Sequence, residues 1–166
     1  MSTNAPVKVL LQTTAGNITA ELRTDKPITS GNFKKIVESG KYDNTPIYRV
    51  VAGFMIQGGR IKQEPPAIPD EIGKDNHNTP YSIAMAKTCE PNSATSEFFI
   101  NVADNSKIIY PNGTSFDKTY TVFGKVTAGQ DVVDAIAKEK VRNSPETGEK
   151  SYPVNPVAIV KASIVK

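Results

Sequence analysis

Arg49 and Gln57 bracket the segment of this 166-residue chain in which chemically useful side chains are most concentrated. The run is Tyr48-Arg49-Val50-Val51-Ala52-Gly53-Phe54-Met55-Ile56-Gln57-Gly58-Gly59. Read as a strand, it places Arg49 and Val51 on one face until Gly53 breaks or bulges the register, after which Met55 and Gln57 share a face. A fixed cation, large apolar side chains and an amide then converge, a set that can grip and polarise a ligand. On pattern alone the simpler reading has Phe54 and Met55 in the core and Arg49 as a solvated edge charge.

Other constellations fail on residue type. Gly53 to Arg60 has the glycine spacing of a phosphate loop, but Gly59 stands where a lysine must reach the phosphates and the interior is apolar. The single His77 lies in the polar stretch Asp75-Asn76-His77-Asn78-Thr79 with no second His or Cys at ligand spacing, so it reads as a surface histidine. Cys89 is the only cysteine and has no local activating motif. Paired carboxylates for acid–base hydrolysis have no signature either. Any reaction this chain catalyses is therefore expected to need neither covalent attack, nor a metal, nor a cofactor.

The elements that must position Arg49 and Gln57 follow from periodicity and breakers. Val7–Thr13 and Ile18–Arg23 flank Thr14-Ala15-Gly16-Asn17 and read as a hairpin. Phe33, Ile36 and Val37 predict a helix over 29–38, ended by Gly40. Tyr48 to Gln57, Ser82 to Ala86, Phe98 to Val102 and Thr121 to Val126 read as strands. A second helix is predicted over 131–138, with Val132, Val133 and Ile136 on one face and Asp131 early, where the helix dipole favours it. Val157 to Val165 is apolar on both faces and reads as a buried closing strand. The irregular stretches 60–80 and 103–119 are rich in Pro, Asn, Asp and Lys, and ordered loops of that length are usually functional or wrap a core. With no repeat or linker, residues 1–166 are read as one domain.

Composition agrees with a mainly β fold: Val, Ile and Thr number 15 each against 3 Leu, and β-branched side chains suit pleated surfaces. The net charge of +3 is spread without a basic run, which argues against dedicated nucleic-acid binding. The N-terminus lacks a basic and apolar signal pattern, and no stretch reaches the length of a membrane span. A cytoplasmic, soluble protein without membrane association is expected, in line with one free cysteine.

At this point the residues resemble a known family. The Tyr48–Gly59 run is similar to the signature of the cyclophilins, the cyclosporin-binding peptidyl-prolyl cis-trans isomerases. Ala84-Met85-Ala86, Pro91 to Asn101 with Ser96-Glu97-Phe98-Phe99-Ile100-Asn101, and Tyr120-Thr121-Val122-Phe123-Gly124-Lys125-Val126 follow in the family's order and spacing. The resemblance covers essentially the whole chain and points to the compact single-domain form of bacteria and archaea. It implies a closed eight-stranded antiparallel barrel with two capping helices, its interior packed as core and its active site a groove outside, walled by 60–80 and 103–119. Carried over by position, Arg49 is the catalytic arginine and Gln57 the groove amide. Phe54, Met55, Phe99 and Phe116 form the pocket for the proline ring. Ala86 and Asn101 line the neighbouring peptide groove, with Lys87 and Glu97 beside it, and Tyr120 stands at the rim where many relatives carry His.

The resemblance thus implies a monomeric isomerase that rotates X-Pro bonds in proline-containing peptides and unfolded proteins. Two other classes stay open: a proline-peptide binding module without catalysis, and a mildly basic RNA-associated protein. Retention of Arg49 argues against the first, and the confinement of the few aromatics to one apolar site argues against the second. Ser115 falls where cyclosporin-sensitive members place Trp, so cyclosporin binding is expected to be weak. Glu97 replaces the family's usual Gln, and from its strand face it is expected to reach the groove and pair with Arg49 or Lys87.

Overall fold

Val9 and Leu11 alternate with Lys8, Leu10 and Gln12, and that period of two buries one face of the first strand, β1 (Lys8–Thr13). In the computed structural model, which describes residues 5–166, β1 turns through Thr14 and Ala15 into β2 (Gly16–Leu22), with Thr13 opposite Gly16 and Lys8 opposite Glu21. The hairpin is the expected one with a tighter turn. Residues 1–4, part of the N-terminal stretch read for a targeting signal, lie outside the described residues.

Helix α1 (Pro27–Glu38) begins two residues earlier than predicted, because Pro at the first helical position loses no hydrogen bond there. Its Phe33, Ile36 and Val37 are buried as the spacing demands. With no acidic residue in its own first turn, α1 takes one from afar: the Glu71 carboxylate accepts from Thr29 N at 2.6 Å and Ile28 N at 3.3 Å. The buried Lys26 ammonium donates to the Glu71 and Ile72 carbonyls, so the irregular 60–80 stretch is tied to the helix start.

Seven further strands complete the main sheet: β3 (Thr45–Pro46), β4 (Arg49–Val51), β5 (Met55–Gly58), β6 (Ser82–Met85), β7 (Phe98–Asn101), β8 (Val122–Ala128) and β11 (Ala158–Val165). They pair antiparallel in the order β3-β11-β1-β2-β8-β6-β7-β5-β4. The fold is therefore mainly β with two helices and a strongly curled nine-stranded sheet, where eight strands in a ring were expected. The extra segment arises because the stretch 45–51 is interrupted at Ile47 and Tyr48. Its two halves, β3 and β4, end the hydrogen-bonded order on opposite sides.

Helix α2 (Gln130–Ala137) packs Val133 and Ile136 inward and starts after Gly129, whose φ of 91° is open to glycine. A Cβ at Gly129 would lie 2.3 Å from the Asn17 carbonyl oxygen, so α2 starts directly against the first hairpin. Between the helices and the concave face of the sheet sits a core centred on aromatic contacts: Phe33 lies 5.2 Å from Phe98 edge to face and 5.0 Å from Phe123.

One reading is corrected and one element added. β11 is buried on one face only: Ile159 and Ala162 are covered while Val160 and Val165 are exposed, since only one side of this strand meets the core. A small hairpin, β9 (Val141–Asn143) with β10 (Lys150–Pro153), was not foreseen, because its polar sequence carries no alternating apolar signal.

Candidate active site

The register of β4 and β5 explains why Arg49 and Gln57, eight positions apart, act together. Their Cα atoms are paired directly across the hairpin, followed by Val50 with Ile56 and Val51 with Met55. Cross-strand partners share a face. Val50 and Ile56 therefore enter the core, and Arg49, Met55 and Gln57 stand on the outer face. The turn between the strands needs Gly53 at φ 72°. Gly59 ends the segment at φ 86°, where a Cβ would sit 2.8 Å from both the Ser96 carbonyl oxygen and the Phe98 ring, so no larger residue fits.

The same alternation sorts the phenylalanines of β7. Phe98 joins the core, whereas Phe99, paired with Gln57, belongs to a second apolar cluster on the outer face with Met55, Ala84, Phe116 and Val122. The 103–119 loop folds over this cluster. Phe116 N donates to Ile108 O at 2.9 Å and Tyr120 N to Phe116 O at 3.2 Å, which bring Phe116 to 5.8 Å and Tyr120 to 5.3 Å from the Phe99 ring. Asp117 anchors the loop by accepting from Asn78 N at 2.7 Å, and Asn76 Nδ2 donates to the Asp117 and Tyr120 carbonyls. The cluster is covered incompletely. An open cavity of about 240 Å³ remains, lined by Arg49, Phe54, Met55, Gln57, Ala86, Lys87, Phe99, Tyr110, Phe116 and Tyr120.

The structure thus brings together nine of the eleven predicted residues and adds Tyr110. Tyr110 donates to Tyr120 Oη at 3.2 Å, and burial followed by this bond pushes its hydroxyl above the usual range. It lies in an irregular stretch with no motif around it, and its aromatic type was the only available signal. Asn101 is corrected. The register sets it beside Met55 on the outer face, but it is fully buried. It donates to Asn78 Oδ1 at 3.0 Å and Ser82 Oγ at 2.9 Å and accepts from Asn105 Nδ2, which also holds the Phe54 carbonyl at 2.9 Å. Asn101 therefore braces the pocket from beneath and does not line the groove.

Glu97 is corrected too. It pairs with neither Arg49 nor Lys87. Its Oε1 accepts from Tyr48 Oη and, at 3.2 Å, from Gln57 Nε2, and its Oε2 lies 3.7 Å from Arg60 Nε. Glu97 precedes the first residue of β7 and leans toward β4, which puts Gln57 between it and Arg49. Lys87 is held away by Asp70 at 2.8 Å.

Arg49 is gripped on two sides. Its Nε and Nη2 donate to the two carboxylate oxygens of Glu149 at 2.8 and 3.1 Å, and its Nη1 donates to Gln57 Oε1 at 3.0 Å. The hydrogen-bonded guanidinium holds the Glu149 carboxyl down to about 2, and Glu149 in turn raises Arg49 above its ordinary value. Gln57 Nε2 is committed to Tyr48 and Glu97, so its amide orients the arginine from within the network. Sequence reasoning missed Glu149, which is 100 residues from Arg49 on the unforeseen β9–β10 hairpin. The remaining singled-out residues stay outside the groove: Cys89 is exposed, and His77 is exposed beside Asp117 at 3.1 Å.

Comparison with known proteins places this geometry in context. The family described as cyclophilin type peptidyl-prolyl cis-trans isomerase/CLD matches residues 8–164. A peptidyl-prolyl cis-trans isomerase of Streptomyces antibioticus is 43% identical over 164 residues, covering 95% of this chain and 98% of that protein. One of Acinetobacter baylyi is 41% identical, covering 96% of this chain and 86% of that protein. The crystal structure of a cyclophilin type peptidyl-prolyl cis-trans isomerase of Cryptosporidium parvum superposes with a TM-score of 0.79 at 23% identity, covering 97% of this chain and 98% of that one.

Proposed function

The chain belongs to the cyclophilin-type peptidyl-prolyl cis-trans isomerase family, and we propose that the outer-face groove is where it accelerates rotation of X-Pro bonds in unfolded or exposed protein segments. The X-Pro bond resists rotation by ~18 to 20 kcal/mol because amide resonance flattens it, and unaided exchange takes on the order of tens to hundreds of seconds. No bond need break. As the bond twists, the proline nitrogen leaves the amide plane and regains a lone pair. A donor aimed at that lone pair binds the twisted state better than the planar one, which is what lowers the barrier.

One observation carries this reading: Arg49, held by Glu149 and Gln57, stands at the lip of an aromatic pocket. Of its five guanidinium donors, three are taken by those partners, which leaves one hydrogen on each terminal nitrogen for a ligand. Phe54, Met55, Phe99 and Phe116 grip the proline ring, Ala86 and Lys87 border the preceding residues, and Tyr120 with Tyr110 closes the rim. Water kept off the ring would otherwise favour the charge-separated planar amide. Gln57 contributes by holding Arg49 and keeps one lone pair of Oε1 for the peptide backbone.

A rigid floor suits this mechanism. We read the curled sheet as an eight-stranded barrel capped by α1 and α2, closed where β3 and β4 run on through Ile47 and Tyr48. The hydrogen bond from Ile47 N to Val157 O at 2.7 Å, which extends the β3–β11 pairing to that junction, supports this closure. A monomer in a reducing compartment is the matching state. The exposed Cys89 and the scatter of the exposed apolar residues Ile28, Ile109, Val154, Val160 and Val165 along the chain support it.

Exchange spectroscopy on a short Ala-Pro peptide with substoichiometric protein tests the proposal. Wild type should broaden or exchange the cis and trans signals, and Arg49→Ala should lose most of this with its melting temperature within a few degrees of wild type. Unaltered catalysis by Arg49→Ala would refute the mechanism. Peptide binding without exchange in wild type would make the chain a binding module.

A further inference from the structure

Arg49 is a long, flexible side chain at a half-open site, and a directional hydrogen bond to a proline nitrogen weakens steeply when the donor angle is poor. Something must hold the guanidinium plane. Gln57 supplies a single contact at 3.0 Å, which permits rotation about it. Glu149 supplies a two-point contact at 2.8 and 3.1 Å, which fixes the plane. We propose that Glu149 is the positioning residue of the catalytic arginine, and that the β9–β10 hairpin is the arm that brings it there. The inference rests on the groove reading above and adds to it a residue that never touches substrate.

The arm is built for the task. In the turn between β9 and β10, Ser144 N donates to Glu149 O at 2.7 Å, Gly148 N to Ser144 O at 2.8 Å, and Ser151 N to Glu149 O at 2.9 Å, which fixes the Glu149 backbone. Glu149 N also donates to Thr147 Oγ1 at 3.2 Å. A second acid on the same turn, Glu146, accepts from Arg60 Nη1 at 3.0 Å, and the Arg60 guanidinium lies over the Tyr48 ring at 4.1 Å from its centroid. Two arginines flanking the signature strands are therefore clasped by two carboxylates of one turn. Glu149 takes the Nε edge of Arg49, the edge nearer the arginine's own stem, and so leaves donors at the far end of the guanidinium.

A carboxylate this close also opposes the positive charge offered to the proline nitrogen. Positioning prevails because the pair is partly solvated: water screens the distant Coulomb term, while the geometry of the two free hydrogens is set by the contact itself. The depressed Glu149 carboxyl keeps the pair ionised throughout the neutral range.

The test compares wild type with Glu149→Gln, Glu149→Asp, Glu146→Gln and Arg49→Ala. An Ala-Pro peptide serves as the probe, with the isomerisation rate of bound peptide and its Kd measured separately by NMR. Glu149→Gln should lower the bound rate by about tenfold, equivalent to ~1.4 kcal/mol of transition-state stabilisation at 25 °C. Its Kd should stay near wild type and its melting temperature should fall by no more than about 2 to 4 °C, Glu149→Asp should recover part of the rate, and Glu146→Gln should retain it. The Arg49 Nε–H resonance, protected in wild type, should exchange with water in Glu149→Gln. A wild-type rate in Glu149→Gln overturns the inference while leaving the groove reading intact. An equal loss in Glu146→Gln overturns it by showing that the turn's fold, not the carboxylate, matters. Full activity in Arg49→Ala overturns the groove reading and this inference with it.

Discussion

Phe98 and Phe99 are neighbours in sequence, almost equally buried at 1% and 3% exposure, yet they lie on opposite faces of β7. Truncating each to Ala should separate stability from function. Phe98 sits inside the core against Phe33 at 5.2 Å and Tyr42 at 5.5 Å, enclosed on every side, so Phe98→Ala loses both the transfer energy of the ring and the cost of a closed cavity. That sum is about 4 to 5 kcal/mol, at the upper end for such substitutions. Phe99 faces the open pocket, so the space it vacates joins the groove and fills with water. The cavity contribution largely disappears, leaving about 2 to 3 kcal/mol from lost burial and aromatic contact. Against a total stability on the order of 5 to 15 kcal/mol both variants leave a folded fraction to assay, Phe98→Ala only marginally if the wild type is at the lower end. Urea unfolding gives the two stability losses, and peptide titration with exchange spectroscopy, below each variant's melting temperature, gives function. Phe98→Ala should be the less stable and the more active; Phe99→Ala should lose peptide affinity and isomerisation. Loss of affinity in folded Phe98→Ala, or wild-type catalysis in Phe99→Ala, would refute the assignment of the two faces.

Acid stability should carry the Glu149 pair. Its folded pKa, about 2, lies below the ordinary 4.5, so the pair's stabilisation is complete above pH 4.5 and is lost as pH falls toward 2. With the Glu149 side chain 42% exposed, solvent screening reduces the contribution to about 1 kcal/mol. Asp25 and Asp104 are depressed in the same direction, so the measure is the difference in acid slope between wild type and Glu149→Gln; equal slopes would count against the pair. Glu97→Gln should change the isomerisation rate by less than about tenfold, because a neutral amide oxygen can still accept from Tyr48 and Gln57. A greater loss would mean that the carboxylate fixes Gln57 and through it Arg49. Cyclosporin should bind weakly: Ser115, half-exposed and engaged with Lys118 N at 3.1 Å, offers neither an indole surface nor its N–H, and inhibition at near-stoichiometric drug would contradict this.

Sequence was most informative where periodicity and chemistry coincide within one segment. The Arg49–Gln57 run could be read because both ends of its hairpin lie in it, and a register pairing Arg49 with Gln57 follows from a short turn at Gly53. The helices were legible from buried positions such as Phe33, Ile36 and Val133, with ends shifted by one or two residues by Pro27 and Gly129. What failed depends on contacts distant in sequence. Glu149 reaches Arg49 across 100 residues from a hairpin whose residues are mostly polar and solvated, so no hydrophobic period announces it. The face of Glu97 was read correctly, but its partner was not. The choice among Arg49, Lys87 and Arg60 was decided by Asp70 and Glu149, each holding one of the first two cations elsewhere. Asn101 likewise sat on the right face, but Asn78 and Asn105 from the loops cover it.

A sheet that curls around its own core uses one face of every strand for stability and leaves the other free, and this chain fills part of the free face with a second apolar cluster. Such a cluster, left bare, would be an association hazard. Here the 103–119 loop covers most of it, and the loop is held by polar groups: Asp117 on Asn78, Asn76 on the Asp117 and Tyr120 carbonyls, and Asn105 on the Phe54 carbonyl. The uncovered remainder is the pocket. Its size is thus set by how far the loop is drawn in, and its chemistry by the Arg49–Gln57 pair that β4 and β5 present to it. The 103–119 loop and the β9–β10 hairpin therefore divide the work: the loop, braced by Asn76 and Asn78 of the 60–80 stretch, which itself lends no residue to the cavity lining, shapes the apolar grip, and the hairpin orients the charge. Substitutions in the asparagine–aspartate bracing should alter how tightly proline peptides bind, whereas substitutions at the tip of the hairpin should alter how fast the bound peptide turns over.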